Sequence, residues 1–226
     1  MKSAISDIRV RYKAVLLLPA ILICCQASAH VAVQDLDEMG KAGAAWLYLI
    51  LGFKHILPLG FDHILFVLSL FLLSPKLKTV VVQSTAFTIA HSVTLILAAY
   101  HIITPPSRII EPLIALSIVY VALENILSPR LKTSRIAVVF LFGLVHGLGF
   151  AGALAETGLP QQAYLLSLIS FNVGVELGQL SIILLAWFLV ARRFSEPLQY
   201  RKRIVVPISL VIALIAGYWT IERVLA

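Results

Sequence analysis

Long apolar runs joined by connectors of a few residues constrain this chain more than any motif in it. From Trp46 onward they recur near residues 55–73, 79–100, 109–127, 135–155, 164–190 and 204–224. A helix needs about 20 apolar residues to cross the ~30 Å hydrocarbon core of a bilayer. Inside lipid, helices and closed barrels alone satisfy every backbone polar group. Over the 226 residues, 60% are hydrophobic and 13% charged, against about 45–50% and 25% in soluble domains. One water-soluble core of this size cannot hide that excess, which excludes a soluble enzyme, a nucleic-acid binder and a disordered regulator. The expected fold is an all-α integral membrane protein, with six transmembrane helices after a cleavable signal peptide. Lipid is the medium, and nucleic acid is no partner despite the sequence pI of 9.6.

Residues 1–29 read as a signal peptide. Lys2, Arg9, Arg11 and Lys13 precede the apolar stretch Ala14–Ile23, and Ala27-Ser28-Ala29 offers small residues for cleavage. Residues 30–54 are expected to form a periplasmic N-terminus, and 55–226 the six-span domain. The stretch 41–53 either lies along the outer interface or extends the first span through a kink at Pro58. Cleavage after Ala29 would remove Cys24 and Cys25 and leave Met39 as the remaining methionine. Such a chain is poorly equipped for Cu(I), which favours soft sulfur.

Charge sets the direction. Lys76, Lys78, Arg130, Lys132, Arg135, Arg192, Arg193, Arg201, Lys202 and Arg203 gather on one side of the spans, while Lys41, Arg108 and Arg223 hold the other. The positive-inside rule therefore places both mature termini outside.

Charged and imidazole side chains at membrane depth are costly, so each requires a partner or a task. The first expected span carries His55, Asp62 and His63; at 100° per residue His55 and Asp62 fall about 20° apart around one axis. The second carries Ser84, Thr88, His91 and Ser92 as a stripe, and the fourth carries His146 among four glycines that admit close helix packing. Asn172, Glu176 and Gln179 share one face of the fifth. Glu124 lies near the inner end of the third, where it is either a solvated end residue or an exit-site ligand. The sixth span reads as packing, with Glu222 beside Arg223 and Glu111 near Arg108 as interfacial pairs. Asp62, His63, His91, His146 and Glu176 fall near the middle third of four helices. Imidazole nitrogen and carboxylate oxygen at one depth suit a borderline divalent cation. His55, Asp62, His63, His91, His146 and Glu176 are thus the candidate metal ligands, with Asn172 and Glu124 secondary; Asn172 and Gln179 read as interhelical hydrogen-bond partners ahead of ligands.

The segments His55-Ile-Leu-Pro-Leu-Gly-Phe-Asp-His63, Phe87-Thr-Ile-Ala-His91-Ser, Phe142-Gly-Leu-Val-His146-Gly-Leu-Gly-Phe and Phe171-Asn-Val-Gly-Val-Glu176-Leu-Gly-Gln resemble the HupE/UreJ family of bacterial membrane proteins. That resemblance implies a secondary permease in the inner membrane for nickel or cobalt, and ties His55, Asp62 and His63 to transport; the donor set by itself leaves zinc open as well. The metal is then substrate, no organic cofactor is expected, and a cytoplasmic metallochaperone of a nickel enzyme is the implied recipient. No P-loop is present, so no ATP hydrolysis of that kind drives it. Two other readings use the same residues. One is an intramembrane metal-dependent hydrolase with Glu176 as general base. The other is a b-type haem protein with His91 and His146 as axial ligands.

Overall fold

A computed structural model describes residues 40–74, 76–128, 131–157, 160–191 and 197–226, the side chains of 151–157, 161, 191 and 197 excepted. The expected signal peptide lies outside the described residues. Within them every regular element is helical. The helices are α1 (Lys41–Ile56), α2 (Phe61–Leu73), α3 (Leu77–Ala99), α4 (Ser107–Leu127), α5 (Arg135–Thr157), α6 (Tyr164–Ala186), α7 (Pro197–Tyr200) and α8 (Val206–Leu225). A π-helical turn, Trp187–Ala191, prolongs α6, and another, Arg201–Val205, joins α7 to α8.

Four segments are long and apolar enough to cross a bilayer: Leu77–Ala99, Ser107–Leu127, Tyr164–Val190 and Leu198–Leu225. The α1–α2 pair, bent by 68°, makes a fifth when counted as one span, and α5 is apolar over the shorter stretch Arg135–Phe150. The polarity of the bundle is inverted relative to a soluble protein. Ile89, Val93, Leu116, Leu185, Leu210 and Leu214 face outward, whereas Gln83, Ser84, His91, Asn125, Arg135 and Gln179 are buried. Exposed aliphatic surface on this scale suits hydrocarbon, and the polar groups turn inward to find one another.

Named contacts give the topology. Tyr164 at the start of α6 donates its hydroxyl to the Ala99 carbonyl at the end of α3. Arg223 in the last turn of α8 reaches Asp62 at the start of α2 and the Glu111 carbonyl at the start of α4. At the opposite end, Arg201 donates to the carbonyls of Asn125, Ile126 and Ser128, satisfying acceptors that the end of α4 leaves open. Successive long helices therefore alternate in direction.

The first expected span, 55–73, is corrected by the break between α1 and α2. Residues 41–56 form one helix that ends at Ile56; four residues, with the Leu57–Pro58 bond cis, then lead into α2. The single helical axis assumed for His55, Asp62 and His63 does not exist. Helix α1 packs lengthwise on α6, where glycines bring backbones into contact. A Cβ on Gly52 would lie 1.9 Å from the Phe171 carbonyl oxygen, and one on Gly174 would lie 2.0 Å from that of Leu49. The stretch 41–53 is thus part of the bundle, and the 54/55 division falls inside α1.

Candidate metal site

The break in the chain brings two histidines together from separate helices. His55 lies in the last turn of α1 and His63 in the first turn of α2, with ring centroids 4.7 Å apart. His91, from the middle of α3, completes a triangle at 6.3 Å from His55 and 6.0 Å from His63. One ring nitrogen from each of the three lies within 4.8 Å of the others. His146 of α5 stands beside them, its ring 5.1 Å from that of His63.

Hydrogen bonds sort the ring nitrogens. Nδ1 of His146 lies 2.8 Å from the Phe142 carbonyl, which only a ring N–H can satisfy. Nδ1 of His91 faces Oδ1 of Asn172 at 3.2 Å, the amide nitrogen of Asn172 being committed to the Leu168 carbonyl. Both contacts put the proton on Nδ1 and leave Nε2 with its lone pair. Nε2 of His55, His63, His91 and His146 is buried in each case and has no hydrogen-bond partner. Buried polar atoms without partners are rare in proteins, and the three converging ring nitrogens of His55, His63 and His91 could serve as a donor set for a cation, with His146 beside them.

Aromatic rings wall this cluster. Phe150 stacks on Phe171 at 4.6 Å and touches His55 at 4.0 Å, while Phe66 and Phe87 lie 5.3 and 4.9 Å from His146. Close helix contact holds the walls: a Cβ on Gly147 would lie 2.2 Å from the His91 carbonyl oxygen. The glycines around His146 thus do what their sequence suggests. The phenylalanines around each histidine were visible in the motifs, but their common role needed the fold.

From His91 a ladder of side-chain bonds descends between the antiparallel helices α3 and α6. Asn172 meets His91, Glu176 accepts from Thr85 at 2.7 Å and from Thr88, and Gln179 accepts from Ser84. Thr88 is three residues below His91, about 4.5 Å along the axis. Glu176 accordingly sits one step below the histidines rather than within the triad, and Asn172 orients His91. Thr85 escapes any reading of the sequence, since one threonine on an apolar helix carries no signal.

Asp62 is held by Arg223, whose Nη2 lies 3.1 and 3.0 Å from its two carboxylate oxygens. Arg223 thus belongs to this ion pair and α8 is more than packing; only the fold brings residues 62 and 223 together. Glu124 is paired with Arg135 at 2.8 Å. Arg135 also donates to Gln83, Asn125 and the Ser69 carbonyl and is 1% exposed. The sequence suggests a water-facing charge there, whereas the fold makes it the centre of a buried network closing one end of the bundle.

The class that the fold and site define is a helical membrane protein whose interior holds a histidine cluster, three ring nitrogens of which lie close enough together that they could hold a metal ion. A family model described as HupE / UreJ protein matches residues 29–223, and the chain belongs to that family. The family is of the transporter type and is associated with nickel and cobalt transport. Among curated proteins and solved structures no significant match is found.

Proposed function

We propose that this chain is a secondary permease of the bacterial inner membrane that admits a divalent transition-metal cation, nickel or cobalt by preference, to the cytoplasm. The observation that carries the reading is the convergence of the His55, His63 and His91 ring nitrogens within 4.8 Å at a broken helix. Transporters bind their substrates where discontinuous helices expose backbone ends at mid-membrane.

In this reading the ion exchanges its water for imidazole nitrogen at His55, His63 and His91, with His146 adjacent as a fourth donor. Glu176 supplies negative charge one helical turn further along the path, and Glu124 lies towards its inner end. The bent pair α1–α2 and α5 complete a six-span plan with both mature termini in the periplasm. For a dication, 100 mV of membrane potential is worth about 4.6 kcal/mol inward, enough to support accumulation without a nucleotide. Delivery to a cytoplasmic metallochaperone would keep the inner concentration low.

The test is radiotracer uptake of nickel, cobalt and zinc into cells expressing the wild type or His63→Ala. Accumulation of one metal, lost in the variant at equal protein level, is the expected result. No accumulation of any of the three with the wild-type protein present in the membrane would overturn the reading.

A further inference from the structure

Two arginine–carboxylate pairs flank the polar interior, and they differ in kind. Arg135 is immobilised: Nε and both Nη groups are committed to Gln83, Glu124, Asn125 and Ser69, and the side chain is 1% exposed. Arg223 is bound loosely by comparison. Its Nη2 meets Asp62, its Nη1 reaches the Glu111 carbonyl at 3.3 Å, and the two side chains are 22% and 25% exposed. Its Cζ lies 5.6 Å over the ring of Trp219, one turn back on α8, a face on which a released guanidinium can rest. Arg223 and Asp62 therefore share a partly exposed contact where α2 begins and α8 ends.

Asp62 is the residue next to His63. Neutral imidazoles give lone pairs and no charge, so a dication among them and the phenylalanine walls has no compensating charge in direct contact, Glu176 lying one turn below. Asp62 could supply it, but among the described residues it is engaged by Arg223. Resting on the permease reading, we propose that Arg223 is a tethered counter-ion for Asp62 that an entering dication displaces. The guanidinium holds the carboxylate neutralised while the site is empty. A second positive charge close by repels it toward Trp219 and water, which frees Asp62 to balance the cargo. Arg223 is then a positioning residue: it acts on the metal through Asp62, and it favours dications because a single charge gains less by replacing it.

The experiment is titration of the purified full-length protein in detergent with Co2+, followed by its visible ligand-field absorption, with thermal melting as a check on folding. Arg223→Gln removes the charge but keeps a donor, and Arg223→Lys keeps the charge. We expect Arg223→Gln to bind Co2+ about tenfold more tightly or better, Arg223→Lys to stay within about threefold of the wild type, and Asp62→Asn to bind more weakly. In the Asp62→Asn background Arg223→Gln should bring no gain. Unchanged or weaker binding by Arg223→Gln with an intact melting transition overturns the proposal, as does an equal gain in the Asp62→Asn background. Wild-type protein that binds no Co2+ would instead overturn the metal-site reading on which this one rests.

Discussion

Gly52→Ala tests whether helix packing sets the metal site. The new Cβ would lie 1.9 Å from the Phe171 carbonyl oxygen, 2.8 Å from its carbon and 3.0 Å from its Cα. All three are backbone atoms, so no side chain can swing away. An ordinary carbon–oxygen contact is about 3.3 Å, so α1 and α6 must part by about 1.4 Å. Overpacking of this kind costs about 1–3 kcal/mol, which leaves the fold standing in most proteins. His55 lies three residues further along α1 and moves with it, whereas metal–ligand distances tolerate about 0.2 Å. The loss of Co2+ affinity should be about 10- to 100-fold, or about 1.4–2.7 kcal/mol. The assay is ligand-field titration of purified protein, paired with its melting temperature. Gly217→Ala is the control: nothing lies within 4 Å of its Cβ position in α8, and that variant should gain about 0.5–1 kcal/mol of stability with unchanged binding. Wild-type Co2+ affinity in a Gly52→Ala protein that melts lower would refute the coupling between packing and site. An unchanged melting temperature would refute the close approach itself.

Asn172→Ala should free the His91 ring to rotate and raise the KM for metal uptake by about 10- to 100-fold, as loss of an orienting partner does. Glu176→Gln should act mainly on Vmax, because the carboxylate lies one turn below the triad; tracer uptake over a range of metal concentrations separates the two, and the reverse assignment would show that Glu176 is a primary ligand. Arg135→Met leaves the Glu124 carboxylate, 12% exposed, and the buried Asn125 and Gln83 without their cation and should cost about 3 kcal/mol, seen as loss of folded protein from the membrane and a lower melting temperature. Adding Glu124→Gln should recover much of that loss, and equal instability of the single and double variants would show that charge pairing is not the cause.

The sequence by itself determined that the chain is helical and where most helices run. The expected 79–100 and 109–127 correspond to Leu77–Ala99 and Ser107–Leu127. The reason is that an apolar run of span length can satisfy its backbone within itself in lipid only as a helix. The sequence also singled out the four histidines that the fold gathers, since an imidazole on an apolar helix stands out for its cost. The glycines beside His146 were legible too, because small residues in such a helix signal contact.

Tertiary structure alone decided how these residues divide their work. The break after Ile56 puts His55 and His63 on different helices, where their side chains can face one another. Asp62 turns to Arg223 across 161 positions, Asn172 orients His91, and Arg135 is buried where its place in the sequence suggests water. None of these pairings leaves a periodic trace along the chain. Each depends on how far one helix rotates and slides against its neighbour, which close glycine contacts fix only once the helices have met.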